Sequence, residues 1–480
     1  MRRRIPRLVI ILAAVAGFMI AGFFSFEHVT EHRLIAKRAT VKRPGVIDAY
    51  RKLFAEIEGR ELTAEELPPA GEEVTEFPGF PEDAADIVAE YDRLFARVEA
   101  QEDIRDGDIG DIIWYPPDEW TASQKSTLKK YLAANQDLIR QIRHAAARGG
   151  PVYPIDFSAS SEPEIPYLAL LRSCARLLNG DAGIKAAEGE YDESVEDILA
   201  GMRLADAVSY EPFMVSQFLR LSIYGIMYDT LQDCFNGADL SPELTLTLMN
   251  HVAQADNRHA IIEFLIEDIY FIPEFFSDLR TGDRSVLELR SVTYNASGQP
   301  VGPANLAEEL TDLGQSFLAG LYASPLGDPW LNMDETTHVD YINRLIVAME
   351  GPPDETGLLL KQMEGEAENL PITRVVSRNS VAQRVGACIA QIRHETDLDL
   401  IQMGILLEQY HARTGSYPTS LDAIASDLGG SLPVDPFRGG NYCYRPSGDG
   451  FLLYSVGPNL VDDGGDHSFR LGDIVWRGEQ

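Results

Sequence analysis

Apolar residues recur at three- and four-residue spacing through most of this chain, which predicts a mainly helical protein. The pattern places helices over 45–58 and 84–102, the second with Ile87, Tyr91, Leu94, Phe95 and Val98 on one face. Residues 60–81 are rich in Glu and Pro and read as a loop, and 106–120 reads as a turn-rich link. A further helix over 126–148 stops at Gly149-Gly150-Pro151. Five consecutive helices follow over 165–178, 183–188, 192–208, 212–235 and 242–271, with Ser241-Pro242 as an N-cap before a proline at the first helical position. Residues 275–335 are mixed, with a short helix near 305–317 and a hairpin near Val292-Thr-Tyr-Asn-Ala-Ser-Gly. Helix resumes over 337–349, and 351–378 reads as irregular or short helix. Residues 379–413 then form one long amphipathic helix carrying Val381, Val385, Ile389, Ile392, Leu398 and Ile401 on its apolar face.

The period changes from about 3.6 to 2 only in the last fifty residues. Short alternating runs at 442–445, 451–456 and 473–476 are separated by Gly, Pro, Asn and Asp, which predicts three antiparallel strands. A lone hairpin is only marginally stable, so these strands need the preceding helix as support. The expected fold class is therefore mainly α, with an N-terminal transmembrane helix, a body of helical hairpins, and a small C-terminal α+β domain on a three-stranded antiparallel sheet. The expected divisions are an anchor and basic stem over 1–43, a helical body over 44–378, and a long helix with the α+β module over 379–480.

Leu8 to Phe26 is an uncharged run of 19 residues. As a helix it would span about 28 Å, close to the ~30 Å hydrocarbon core of a bilayer. The small-residue stretch Ala14-Val15-Ala16 lies inside that run and not at its end, so a retained anchor fits better than a cleaved signal peptide. Arginines and lysines flank both ends and leave the charge rule nearly balanced. The very short N-terminal tail favours a single-pass anchor in the bacterial inner membrane with the body in the periplasm.

Lys and Arg number 41 against 75 Asp and Glu, a formal charge of −34. Nucleic acid is excluded as an expected partner, because phosphate binding needs a basic face. The basic residues concentrate early, with nine Lys or Arg and two Glu in the first 43 residues, so an acidic body follows a basic stem. Cys174, Cys234, Cys388 and Cys443 form no CxxC pair. Export permits disulfides, and four cysteines allow three pairings. The apolar helical contexts of Cys174 and Cys388 favour inert buried thiols.

Several stretches carry a resemblance. Leu406-Leu-Glu-Gln-Tyr-His-Ala-Arg-Thr-Gly-Ser-Tyr-Pro, Leu432-Pro-Val-Asp-Pro-Phe, Tyr442 with Tyr444, Tyr454-Ser-Val-Gly, and Asp462-Asp-Gly-Gly-Asp occur in that order. Together they resemble the C-terminal domain of the type II secretion system protein G family, the major pseudopilins. The likeness covers about residues 400–477. It implies a helix packed on a three-stranded sheet, and a calcium site in the acidic loop with Asp462, Asp463, Asp466 and Asp473 as ligands. Asn459 and Leu460 depart from that family's pattern. Gly22-Phe-Phe-Ser-Phe-Glu27 mimics a pilin cleavage signature, but its apolar run precedes it, so the match reads as chance and filament assembly is not implied. The layout also resembles uncharacterised membrane-anchored bacterial envelope proteins, through Arg176-Leu-Leu, Gly189-Glu-Tyr-Asp-Glu-Ser, Leu204-Ala205, Glu211-Pro212 and Ser216-Gln-Phe-Leu-Arg220. The stretch 184–208 resembles one tetratricopeptide hairpin, without a second copy about 34 residues away.

Little else carries chemistry. His251, His259 and Glu263 share a helix face at spacings of eight and four, yet no HExxH is present, and surface or capping histidine is the better reading. Arg172, Arg176, Arg220 and Arg258 stand on apolar helices and call for carboxylate partners, for which Glu188 or Glu263 could serve. Asp106-Gly-Asp-Ile-Gly-Asp111 lacks the closing Glu of a calcium loop and reads as a turn. The expected role is structural or interaction-based, with protein partners in the cell envelope beside a secretion or pilus-like apparatus. The alternative is an envelope hydrolase with its cleft in the helical body.

Overall fold

The computed structural model describes the chain apart from residues 1–6, 64–73, 75–79, 81–82, 106, 115–116, 154–164, 236–239, 256–257, 285–292, 295–299, 302–319, 372, 449, 467–471 and 478–480. The protein is mainly helical and ends in a small sheet. Two compact units are present. The larger comprises Arg43–Glu267, Ala348–Gln362 and Ala387–Gln480, and the smaller comprises Met1–Lys42, Asp268–Val347 and Met363–Gly386.

Helix α1 (Arg7–Arg38) belongs to the smaller unit, and the larger unit begins with α2 (Gly45–Glu58) and α3 (Ala84–Glu99). Of the turn expected at 106–111, residue 106 lies outside the described residues and 108–111 are helical. After the short α4 (Glu102–Arg105) comes helix α5 (Asp108–Trp114). Ile109, Ile112 and Ile113 are buried there, and the Trp120 indole donates to the Ile112 carbonyl at 2.9 Å. The apolar i, i+3, i+4 triplet outweighs the glycines. The helix expected over 126–148 is two: α6 (Ala122–Ala134), opened by a Thr121–Gln124 capping box, and α7 (Gln136–Arg148). Asn135 interrupts them, serving as the C-cap of one and the N-cap of the other.

Conversely, the two helices expected over 165–188 are one, α8 (Tyr167–Glu188), in which Gly183 lies against Pro117, a neighbour that needs the room. A Cβ at Gly183 would meet Pro117 at 2.7 Å. Gly189 closes α8 with a left-handed cap (φ 79°), and α9 (Tyr191–Asp206) folds back as the second arm of the hairpin. Helix α10 (Met214–Phe235) packs on α9 where Gly201 leaves room for Met227. The run expected as one helix over 242–271 divides into α11 (Pro242–Gln254), capped by Ser241 as expected, and α12 (Arg258–Thr281).

The smaller unit holds the described part of α1, the later part of α12, most of α13 (Asp328–Glu350), and parts of α14 (Pro353–Glu368) and α15 (Val375–Thr414). Helix α14 is the helical alternative of the segment expected as irregular or short helix at 351–378. Arg38 and Arg280 both pair with the buried Glu335. Asp334, fully buried, accepts from the backbone of Val376 and Ser377 and caps the first turn of α15. The backbone of β1 (Thr293–Tyr294) and β2 (Pro300–Val301) pairs antiparallel as the expected hairpin, while the helix expected over 305–317 lies outside the described residues.

The C-terminal sheet forms where alternation put it. Strands β5 (Cys443–Ser447), β6 (Gly450–Ser455) and β7 (Ile474–Arg477) are antiparallel in the order β5-β6-β7. A separate pair, β3 (Val434–Asp435) and β4 (Gly440–Asn441), was not expected. No helix among the described residues is long and apolar enough to cross a membrane. At the expected anchor the backbone is helical from Arg7, and the side chains of residues 7–21 lie outside the described residues.

Candidate functional site

The C-terminal module is fastened to α15 by residues of its sequence motifs. Gly404 is bare so that the Trp476 indole can lie on the helix; a Cβ there would come within 2.1 Å of its ring nitrogen. The Tyr442 hydroxyl donates to Asp399 at 2.7 Å, and that of Tyr444 to the Pro418 carbonyl at 2.7 Å. Asp435 is the fixed point of the Leu432–Phe437 motif. Buried in β3, its carboxylate accepts from the Phe437 amide (2.9 Å), the Ser455 hydroxyl (2.7 Å) and the Val456 amide (3.3 Å), and so links β3 to the end of β6. Burial raises its pKa, and these donors work against the rise.

The acidic loop is closed by its own hydrogen bonds. Asp473 is buried and accepts from the amides of Asp463 (3.2 Å) and Gly465 (2.6 Å). Asp462 accepts from the Tyr454 hydroxyl (3.0 Å) and the Gly464 amide (3.1 Å). Asp463 accepts from the Asn459 side chain at 2.8 Å, and Asp466 is exposed at the loop's edge. Leu460 sits at φ 61°, a left-handed conformation that side chains disfavour. Among the described residues no three His, Cys, Asp or Glu side chains converge as metal ligands. Calcium would need six to eight oxygens at about 2.3–2.6 Å, so the loop would have to turn carboxylate oxygens away from amides to provide them.

A second set of motif residues forms a buried polar chain in the larger unit. Glu211 accepts hydrogen bonds from the Tyr167 and Ser216 hydroxyls. The Gln217 amide donates to the Glu211 carbonyl at 2.7 Å, and Arg220 Nε donates to Gln217 Oε1 at 3.0 Å. Arg220 is wholly buried; its Nη2 donates to Gln391, and its Nη1 has no hydrogen-bond partner among the described residues. Gln391 donates to Glu395 at 3.2 Å, and Glu395 receives a two-pronged pair from Arg258. Arg258 Nη1 also donates to the Met349 and Gly351 carbonyls, at 3.3 and 3.4 Å. Alongside, His394 bridges the Tyr228 hydroxyl (2.9 Å) and the Ala255 carbonyl (3.4 Å). The carbonyl requires Nε2 to carry the proton, which leaves Nδ1 to accept from Tyr228. Burial, aided by Arg220, holds this imidazole well below its ordinary pKa. Burial also pushes the Glu211 carboxyl up to about 7, against the pull of Ser216 and Tyr167.

This chain ends at an open cleft. Arg258 and Glu395 form part of the wall of a cavity of about 460 Å³. Val252 and Leu398 contribute to its lining, as do Leu432, Pro433 and Val434 of the module. Asp354, Asp399 and Gln402 supply its remaining polar surface. A second cavity, of about 540 Å³, lies along α7, α9 and α11 with Arg143, Arg203, Glu196 and Glu243 on its walls. Beneath it Arg143 and Lys185 neutralise Asp181 and Asp197.

The remaining sequence candidates separate. His259 is exposed and lies 3.7 Å from Glu263, while His251 lies 3.5 Å from Asp206, so the three do not make one site. Burial lowers His251 to about 4 and raises Glu263 to about 7. Of the arginines, Arg258 takes a carboxylate, Glu395 and not Glu188 or Glu263, while Arg220 takes Gln217 and Gln391, and Glu188 pairs with Lys129. Arg176 is lowered to about 10 by burial and by Arg172. Among the described residues no disulfide joins the four cysteines; Cys443 is half-buried and the others buried. No family model, no curated protein and no solved structure matches this chain.

Sequence reasoning missed one row of groups in the smaller unit. Ser380 Oγ lies 3.1 Å from His338 Nδ1, and His338 Nε2 lies 3.2 Å from Asp268. The three come from α15, α13 and α12, and no local spacing signals them. The row looks like a nucleophile, base and orienter. However, the Ser380 hydroxyl donates to the Val376 carbonyl at 2.8 Å, and His338 is fully buried. Arg384 also grips Asp268, at 2.5 and 3.2 Å. Mid-helix amides are already hydrogen-bonded and offer no oxyanion hole. The chemistry that fits is a polar staple between helices.

Proposed function

We propose that this chain is a membrane-anchored, extracytoplasmic structural or interaction protein of the bacterial envelope, whose C-terminal module resembles that of type II secretion protein G. The observation that carries the reading is the cleft at the module's edge. Its motif residues Leu432, Pro433 and Val434 face the helical body across open space while Trp476 and Tyr442 hold the module fixed on α15. A rigid module beside an apolar cleft suits recognition of a partner protein. Anchorage through Leu8 to Phe26 and periplasmic placement of the body belong to the same proposal, as does association with a secretion or pilus-like apparatus. Calcium at Asp462, Asp463, Asp466 and Asp473 is its remaining part.

Purification of the tagged chain from membranes tests the reading. It predicts co-purifying envelope proteins, and spheroplast proteolysis that reaches the body from outside. Recovery without partners, together with a hydrolase activity, would overturn it. Calcium is tested by thermal melting, where no shift at millimolar calcium removes the ion from the proposal. The hydrolase alternative rests on the Ser380–His338–Asp268 row. Its buried histidine and back-bonded serine make it the weaker reading.

A further inference from the structure

Helix α1 runs on past the apolar stretch that ends at Phe26, and there it has two unlike faces. One face is pinned within the smaller unit. The Phe26 ring lies edge-on to that of Trp330 on α13, with centroids 6.2 Å apart, and Thr30 and Leu34 are buried. Lys37 and Arg38 then pair with Asp340 and Glu335 of α13. These contacts recur every three or four residues, so they hold one side of the helix. The opposite side carries Phe24, His28, Glu31, His32 and Ile35, all exposed. On it the imidazoles of His28 and His32 are close neighbours. Their centroids are 4.4 Å apart and their planes meet at 77°. Neither ring has a hydrogen bond or ion pair among the described residues.

We propose that His28 and His32 chelate one divalent transition-metal ion of the zinc and copper class. Two histidines four apart on one helix face are a standard pair of metal ligands. The pinned face fixes the backbone beneath them, so binding orders only side-chain rotamers. Zinc–nitrogen bonds of about 2.0–2.1 Å put two nitrogens of a tetrahedral ion about 3.3 Å apart, and rings this close reach that by turning about their side-chain bonds. Nitrogen donors select zinc, copper or nickel over calcium and magnesium, which take oxygen. Glu31 adds a negative charge on the same face, three residues after His28. Water fills the remaining positions, so the ion stays open to a donor from another molecule. The site is separate from the acidic loop and does not depend on the envelope role.

The test uses the full chain in mild detergent, stripped of metal by a chelator. Zinc chloride is titrated in by calorimetry, and a one-to-one copper complex is read by electron paramagnetic resonance. The native chain is expected to bind one zinc ion that the double variant His28→Ala/His32→Ala does not bind, and its copper spectrum should show coupling to two imidazole nitrogens. Either single change to Ala should weaken zinc by about tenfold or more, since losing even an outer-shell partner costs that much. Both side chains are exposed and make no bond, so these variants should fold. His32→Ala/Arg33→His keeps the number of histidines but turns one ring about 100° around the helix, and it should bind as weakly as His32→Ala. Arg33 is exposed. Undiminished zinc binding in the double alanine variant or in the displaced-histidine variant would overturn the proposal, as would no saturable binding by the native chain.

Discussion

Each unit places an acidic side chain among its helices and gives it opposite company. In the larger unit Glu211 meets two hydroxyls and no cation, and its carboxyl is pushed up to about 7, burial being the main cause. In the smaller unit burial again opposes the charge on Asp268. There the Arg384 guanidinium and the His338 ring hold the carboxyl well below the usual carboxylate range. Burial acts in the same direction at both sites, so the type of partner decides the sign. The larger unit repeats its choice: burial raises Asp206 to about 6 and Asp397 to about 7. The smaller unit pairs Glu335 with two arginines. Glu211 is thus set to hold a proton close to neutral pH and Asp268 to stay ionised.

The sharpest way to break this contrast is to remove the cation. Arg384→Met leaves Asp268 enclosed with His338 alone and should cost about 3–5 kcal/mol of stability at neutral pH, read by urea denaturation. Loss below about 1 kcal/mol would mean the pair is as weak as an exposed one. The folded Asp268 carboxyl is depressed. Its contribution is therefore complete above the unfolded value near 4 and disappears as pH falls through the folded value.

Glu211 gives the opposite slope and a smaller effect. Its folded pKa lies above the unfolded one, so the folded state binds the extra proton between about 4.3 and about 7, and stability falls as pH rises through that window. Glu211→Gln should flatten the slope by on the order of 1–3 kcal/mol between those limits, while changing little at pH 5. An unchanged slope would show that Glu211 is ionised in the folded protein.

Ser380→Ala is the mildest change. As a staple lost from His338 it should cost about 1 kcal/mol or less and leave any activity of the preparation intact. Abolition of a hydrolase activity by this substitution would revive the catalytic reading of the row.

Much of the framework was legible in the sequence, and the reasons for the misses are local or long-range in turn. Helix α2 and the three strands follow from periodicity alone. The break at Asn135 escaped because a single capping residue interrupts an apolar stripe that continues across it. Helix α5 escaped because glycines and acids mask three buried isoleucines. The motif Glu211 to Arg220 was visible as a string of letters, but its meaning lies in Gln391 and Glu395, far away in sequence. The same holds for the cleft, whose walls come from α11, α12, α14, α15 and the Leu432–Pro436 stretch. Polar residues on apolar helices announce that partners exist, and only the fold says which.

The measurement that tests the contrast most directly is a carboxyl-detected NMR titration with ¹³C-labelled Asp and Glu, assigned by Glu211→Gln and Asp268→Asn. The account predicts that the Glu211 resonance moves with a midpoint near 7. It predicts that the Asp268 resonance stays ionised into the acid limb. Midpoints near the ordinary values of about 4 for both residues would contradict it.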